Sequence, residues 1–195
     1  MKSAGNPPET APDSRSDLAR KTAKVLQAST VTTGAERALA VEHWLLISAS
    51  DVSDAYWAWK EGDVTFLRCG ARFTAVRLPA DVVNRAAGTR RARAVDAFLA
   101  EALAGGPVIV SNGHHTYYAL VSRAAGLAWA SRGAAVLAPG TWIEVPPPSR
   151  TEGRGKEAYW AVSMREPGAL CRADLVAAMV ESVVSSGDES CTDRV

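Results

Sequence analysis

The sequence has few cysteines and no long apolar run, and each absence excludes a class of protein. Its three cysteines, Cys69, Cys171 and Cys191, are too few and too widely spaced for a disulfide framework or a zinc knuckle. No stretch of about 18 uncharged apolar residues occurs, so we expect no membrane span and no membrane partner. The N-terminal residues lack the apolar core of a secretory signal peptide. Together these absences predict a soluble, cytoplasmic protein.

A strong charge of one sign is also missing. The formal net charge is +1 at pH 7, which by itself gives no case for a polyanionic partner. The acidic stretch from Asp188 to Asp193 leaves the remainder mildly basic, so nucleic acid is not excluded as a partner. A Walker-type phosphate loop, a Gly-x-Ser-x-Gly elbow and a dinucleotide fingerprint are all absent from the sequence.

The sequence does contain enough apolar material for one folded domain. Apolar residues make up 47% of the 195 residues, an ordinary value for a globular protein. Residues 1–33 are rich in Ser, Pro, Ala, Lys and Asp and have few large apolar side chains, which predicts a flexible N-terminal arm. We therefore place the domain at residues 34–184 and an acidic tail at residues 185–195.

The apolar pattern predicts an α+β domain in which helices flank a mostly antiparallel sheet. Helices are expected near Glu36, after a capping residue that is either Ser50 or Asp51, and over Pro79–Arg85, Arg90–Ala104 and Leu170–Val184. Strands are expected over Val64–Leu67, Arg72–Leu78, Val108–Val110, Thr116–Val121, Ala134–Ala138, Trp142–Val145 and Tyr159–Val162. A turn at Cys69-Gly70 predicts that the first two of these strands pair with each other.

Two adjacent histidines, His114 and His115, stand before the strand that begins at Thr116. Neighbouring side chains on a strand face opposite ways, and no Cys, Asp or Glu lies within a few residues, so no metal site is expected here. One interpretation leaves one histidine exposed and the other hydrogen-bonded beneath the sheet. The other is anion binding, in which a histidine and backbone N–H groups of the Ser111-Asn112-Gly113 turn contact a phosphate.

A basic segment and two tryptophans extend this region along the chain. Arg150, Arg154 and Lys156 are candidate phosphate contacts, and the alternative is a solvated hairpin tip. Trp142 and Trp160 are candidates for stacking on a base, an interaction that contributes about 1–3 kcal/mol. Packing in the core is the alternative for both tryptophans.

Several of these segments follow one another in an order that a known family also has. Gly113-His114-His115 leads into Thr116-Tyr117-Tyr118, a strand runs into Pro146-Pro147-Pro148-Ser149, and Gly153-Arg154-Gly155 precedes Tyr159-Trp160. This order resembles the N-terminal domain of bacterial bifunctional primase-polymerases, in the archaeo-eukaryotic primase superfamily, and shortened forms of that domain in small actinobacterial proteins. The resemblance implies a primase-like (RRM-like) sheet. It also implies that His115 contacts nucleotide phosphates, together with Ser111, Asn112 and the basic segment.

The residues that would hold catalytic metals in that family are missing. Active members carry a pair of carboxylates on the first sheet strand and a third before the Pro-Pro strand, because two Mg²⁺ ions need oxygen ligands. The corresponding segments Arg72–Leu78 and Gly133–Pro139 contain no Asp or Glu. Glu144 is the only carboxylate on the relevant strands, and one glutamate cannot hold two metal ions. The resemblance therefore implies a domain without polymerase activity, a pseudoenzyme, and we expect no cofactor.

Three hypotheses for function follow from the sequence. The first is a nucleotide- or DNA-binding regulatory module for DNA replication, with a replication or plasmid-maintenance protein as its partner. The second is an active enzyme of nucleotidyl transfer or nucleotide hydrolysis that uses His115 and Glu144, and Mg²⁺ is expected only in that case. The third is a protein-interaction domain, which an apolar sheet face would favour. An inherited primase-like site would place His115, Arg154 and Thr74 around one open groove.

Overall fold

A computed structural model describes residues 33–111, 113, 115–153 and 157–189, with side chains described as far as residue 185. The expected α+β class is confirmed. The helices are α1 (Gly34–Leu46), α2 (Val52–Glu61), α3 (Ala80–Ala87), α4 (Ala92–Ala102), α5 (Arg123–Leu127) and α6 (Ala173–Glu189). The strands are β1 (Thr65–Arg68), β2 (Thr74–Pro79), β3 (Val108–Ser111), β4 (Thr116–Val121), β5 (Ala135–Val136), β6 (Trp142–Val145) and β7 (Tyr159–Val162).

The strands form two separate antiparallel sheets. The larger sheet has the order β5-β2-β4-β3-β7, and the smaller sheet consists of β1 and β6. The predicted pairing of the strands on either side of Cys69-Gly70 is wrong, because β1 pairs with β6 while β2 pairs with β4 and β5. The turn itself is present, since Gly70 has φ +96° and its N–H donates to the carbonyl of Phe73 at 2.7 Å. The chain changes sheets at this turn instead of forming a hairpin.

Each face of the larger sheet supports its own apolar core. Side chains alternate along a strand, so in β2 Val76 and Leu78 face one side while Ala75 faces the other. Helices α3, α4 and α6 cover the first side, and α1, α2 and the small sheet cover the second. The final helix continues to Glu189. It therefore includes the first residues of the predicted acidic tail, whereas residues 1–32 of the predicted arm lie outside the described residues.

Two tryptophans fix the point where β6 enters the prolines. The indole N–H of Trp59 donates to the carbonyl of Val145, and that of Trp160 donates to the carbonyl of Pro146, each at 3.1 Å. Buried carbonyls need hydrogen-bond donors. Prolines have no N–H group and interrupt the strand ladder that would otherwise provide them, so the two indole N–H groups take that place. Further along, the backbone N–H of Trp160 donates to the carbonyl of Arg150 at 2.9 Å, so the chain beyond the prolines lies beside β7.

Helix α2 begins at a side-chain cap, and of the two capping residues that the sequence allows, Ser50 and Asp51, the structure uses Asp51. The carboxylate of Asp51 accepts hydrogen bonds from the backbone N–H groups of Ser53 at 2.8 Å and Asp54 at 3.0 Å. Such a cap satisfies N–H groups that have no partner inside the helix. Within the described part of the chain, no helix is long and apolar enough to cross a bilayer.

Loss of this cap has a predictable effect on stability. Asp51→Ala is expected to lower the free energy of unfolding by about 1 kcal/mol, because two helix N–H groups lose their acceptor. Asp51→Ser keeps a capping oxygen and should retain most of that stability. Urea unfolding at pH 7 measures both variants, and equal stability of the alanine and serine variants would contradict the capping role.

Candidate functional site

Two of the sequence-predicted residues, Ser111 and Glu144, are in direct contact. Ser111 is the last residue of β3 in the larger sheet, and Glu144 lies on β6 in the smaller one. The hydroxyl of Ser111 donates to Oε2 of Glu144 at 2.9 Å. Because the Ser111 side chain is buried, its hydroxyl requires a partner, and this bond joins the two sheets and orients the carboxylate.

His115 lies at the same end of the larger sheet. Ser111 pairs with Thr116, so residues 112–115 connect β3 to β4. His115 is exposed, and its backbone carbonyl accepts a hydrogen bond from the N–H of Ala80, the first residue of α3. His115 is therefore on the surface, one residue before the strand partner of Ser111. Asn112 and His114 lie outside the described residues.

Thr74 does not join this group, which contradicts the arrangement expected for an inherited primase-like site. Thr74 pairs with Val121 at one end of the β2–β4 ladder, whereas Thr116 is at the other end, about 17 Å away along the strand. The Thr74 side chain is 3% exposed, and its hydroxyl donates to the carbonyl of Leu137 at 2.9 Å. Burial and strand register therefore keep it away from any groove that His115 borders.

Two further candidates, Trp160 and Arg150, have structural roles instead of a free, ligand-facing side chain. Trp160 is 1% exposed, so its ring has no free face on which a base could stack, and this placement corrects that assignment. The guanidinium of Arg150 donates to the carbonyl of Gly62 and, at 3.4 Å, to that of Ala158, so it braces the chain after the prolines. The other two members of the predicted basic segment, Arg154 and Lys156, lie outside the described residues.

Trp142, in contrast, is 44% exposed on the small sheet. It lies directly opposite Arg68, and Glu144 lies opposite Phe66, which is 59% exposed. Residues opposite each other in an antiparallel pair share a face, so these four side chains form one surface, which we call the aromatic–arginine face. The other face of the small sheet is buried in the core.

The aromatic–arginine face adjoins the larger sheet at Tyr118. Tyr118 is half-buried and lies opposite the exposed Arg77 in the β2–β4 ladder. Burial is the main cause that raises the pKa of the Tyr118 hydroxyl. The positive charge of Arg77 lowers this pKa by a smaller amount, and the negative charge of Glu144 raises it. These electrostatic effects require Arg77, Tyr118 and Glu144 to lie near one another. An aromatic and basic strip therefore continues from the small sheet to the larger one.

Known proteins give no guidance for this arrangement. No protein-family model matches the chain, and no curated protein or solved structure matches it either. The chemistry of the described residues therefore has to supply the basis for a function.

The described residues do not fit a pair of catalytic Mg²⁺ ions. The carboxylate of Glu144 accepts a hydrogen bond from Ser111, and β2 (Thr74–Pro79) contains no Asp or Glu. Across the part of the chain that the structure describes, no three His, Cys, Asp or Glu side chains are grouped as a metal site requires. No catalytic step through a metal is therefore assigned to this chain.

One ionisable group that the sequence did not single out is Asp96 on α4. The hydroxyl of Tyr159 donates to both carboxylate oxygens, each at 3.2 Å. Burial raises the pKa of Asp96 from 3.8 to about 6, although the Tyr159 hydrogen bond opposes that shift. Burial, with the charge of Asp96 as a smaller cause, raises the pKa of Tyr117 to about 12. The three residues form a polar cluster on the helical side of the larger sheet, opposite the small sheet.

In the sequence, Asp96 looks like any polar residue on a helix. The one feature that could have indicated this cluster is the preference of a buried tyrosine hydroxyl for a hydrogen-bond partner.

Proposed function

We propose that this domain binds single-stranded nucleic acid on the aromatic–arginine face and that it does so without polymerase activity. The observation that carries the proposal is the exposure of Phe66 and Trp142 on the same face as Arg68. Exposed aromatic rings offer stacking platforms to unpaired bases, and arginines bind the phosphates that link them. Strands are rigid supports that keep such rings at a fixed spacing.

The charges on and around this face support nucleic acid over a protein partner. The centres of protein–protein interfaces are depleted of charged residues. On this face Trp142 lies opposite Arg68 and Phe66 lies opposite Glu144. Arg77 on the larger sheet adds a second positive charge, so the two arginines outweigh the single carboxylate. The resemblance to primase-polymerase domains points to the same class of ligand, whereas the burial of Thr74 separates this proposal from the family's catalytic groove.

Removal of the exposed rings tests the proposal. Trp142→Ala and Phe66→Ala are each expected to weaken the binding of a labelled decathymidylate by roughly tenfold or more, because each removes one stacking platform. Arg77→Ala should weaken binding and reduce its dependence on salt concentration, because one phosphate contact is lost. Fluorescence anisotropy at low salt, repeated over a range of salt concentrations, measures these effects.

The matched control is Trp57→Ala. Trp57 is an exposed tryptophan, 62% accessible, but it lies on α2 and not on the small sheet. Its removal should leave decathymidylate binding unchanged. Absence of binding at low salt, or equal losses in the Trp57 and Trp142 variants, would refute the proposal.

A primer-extension assay with Mg²⁺ tests the absence of polymerase activity. We expect no extension by the wild-type protein, because β2 and β6 do not supply the carboxylates for two metal ions. Extension by the wild type that disappears in Glu144→Gln would contradict this expectation and would support the enzyme hypothesis.

A further inference from the structure

A cavity of ≈ 310 Å³ opens beside the aromatic–arginine face. Its walls include two arginines, Arg68 and Arg123, and the turn residues Gly70, Pro139 and Gly140. Arg68 belongs to both features, since it lies opposite Trp142 in the small sheet and also lines the cavity. A liquid water molecule occupies about 30 Å³, so the cavity has room for a phosphate group and several waters.

The chain segments that build this cavity carry no negative charge. Residues 64–80 and 102–143 contain no Asp or Glu, although they include five arginines: Arg68, Arg72, Arg77, Arg123 and Arg132. The thiol of Cys69, which also lines the cavity, is buried, and burial raises its pKa. It therefore remains neutral at physiological pH. Of these arginines, Arg68 and Arg123 line the cavity itself, and its lining includes no Asp or Glu, so the cavity has a positive local charge.

The two guanidinium groups have donors available for a ligand. Among the residues that the structure describes, the side chains of Arg68 and Arg123 form no hydrogen bond or ion pair. By contrast, Arg85, Arg93 and Arg172 each pair with a carboxylate. Arginine side chains bind phosphate oxygens with two parallel N–H donors, and two such groups suit a dianion.

Two glycines allow the turns that form the cavity to approach closely. A Cβ at Gly70 would lie 2.9 Å from Cβ and 3.0 Å from Cα of Pro139, and Gly70 has φ +96°. A Cβ at Gly140 would lie 3.5 Å from a terminal nitrogen of Arg68, so the guanidinium rests against that turn. The turn therefore restricts the Arg68 side chain before any ligand binds, which lowers the entropy cost of binding.

We propose that this cavity binds a terminal phosphate group, carried by a free nucleotide or by the 5′ end of a nucleic-acid strand whose first base contacts Trp142. The choice of a nucleotide as the carrier rests on the proposed function. The phosphate chemistry itself rests on Arg68, Arg123 and the acid-free walls. The site is distinct from the predicted phosphate contacts around His115. Cys69 and Gly70 in the cavity wall belong to the turn before β2 and so lie at the Thr74 end of the β2–β4 ladder, whereas His115 precedes Thr116 at the other end.

Calorimetric titration of the full chain with inorganic pyrophosphate at low salt tests the phosphate site. Arg68→Ala and Arg123→Ala are each expected to weaken pyrophosphate binding roughly tenfold, the loss of one charge-assisted hydrogen-bonding group. Arg85→Ala is the matched control, because it removes the same charge from α3 on the opposite side of the larger sheet. Arg68→Lys and Arg123→Lys, which keep the charge, should bind with intermediate affinity and cover the case in which an alanine variant does not fold.

Oligonucleotides distinguish the two carriers of the phosphate. If the carrier is a strand, decathymidylate with a 5′-phosphate should bind several-fold more tightly than the same strand with a 5′-hydroxyl, and Arg123→Ala should remove the difference. If the carrier is a free nucleotide, thymidine monophosphate should displace pyrophosphate while the two strands bind equally. Failure of pyrophosphate to bind, or binding that the arginine variants do not change, overturns the proposal.

These outcomes separate the cavity from the proposed function. Pyrophosphate has no base, so its binding does not depend on Trp142. Trp142-dependent binding of decathymidylate without pyrophosphate binding refutes the phosphate site alone. Arginine-dependent pyrophosphate binding without any binding of decathymidylate refutes the strand-binding function alone.

Discussion

Trp160→Ala is expected to lower the free energy of unfolding by about 3–5 kcal/mol, the range for truncation of a large buried aromatic side chain. Trp160 is 1% exposed and extends from β7 into the core that α1, α2 and the small sheet share. The substitution also leaves the carbonyl of Pro146 without its indole donor. Urea or guanidinium unfolding measures the loss directly.

A second variant and a control separate the two causes of this loss. Trp160→Phe keeps most of the buried ring but removes the N–H donor, so its stability should lie between those of the wild type and the alanine variant. Trp57→Ala removes an exposed ring and should change stability by less than about 0.5 kcal/mol. A loss at Trp160 no larger than the loss at Trp57 would contradict the core position of Trp160.

Asp96→Asn is expected to raise the free energy of unfolding by about 1–2 kcal/mol at pH 7.5. The gain is limited to this range because the carboxylate is partly exposed and solvent screens its charge. The pKa of Asp96 is raised to about 6 in the folded protein, so between about pH 4 and pH 6 the folded state holds a proton that the unfolded chain releases. The stability contributed by this proton is present below pH 4 and is lost as the pH rises through 6. Asparagine keeps an acceptor for the hydroxyl of Tyr159 and carries no charge.

The pH dependence of unfolding between pH 4 and pH 8 tests the Asp96 prediction. The wild-type protein should lose more stability across this range than Asp96→Asn does. Asp174→Asn is the control, because the hydrogen bond with Arg172 holds the pKa of Asp174 below its ordinary value of 3.8, so this group titrates below the tested range and its variant should keep the wild-type slope. An Asp96→Asn variant with the same pH slope as the wild type would refute the role of the Asp96 carboxyl.

Sequence patterns predicted the elements of this fold better than their pairing. The α2 cap at Asp51 is a local signal, and the structure has it. The pairing of β1 depends on the burial of Leu67 against Ile143, two residues far apart in the chain, which no turn motif encodes. A glycine turn after β1 is compatible with a hairpin and with a change of sheet, and tertiary packing decides between them.

For the candidate site, too, the sequence indicated individual residues but not their contacts. Ser111 and Glu144 were each singled out from the sequence, but their contact joins two sheets and could be found only in the fold. Trp142 and Trp160 have similar apolar neighbours along the chain, so the sequence could not tell the exposed ring from the buried one. Arg68 and Arg123 each look like an ordinary surface arginine, and only the Cys69-Gly70 and Pro139-Gly140 turns bring them to one cavity.

The ends of the larger sheet bear on how this protein behaves at high concentration. The outer strand β5 is only two residues long, and on the far side the backbone N–H of Trp160 in β7 is already bonded to the carbonyl of Arg150. Long unpaired edges recruit strands from other molecules and lead to aggregation. Because β5 is short and β7 is already hydrogen-bonded to the chain at Arg150, these edges offer few free backbone N–H and carbonyl groups to a strand of a second copy. The larger sheet should therefore resist edge-to-edge self-association.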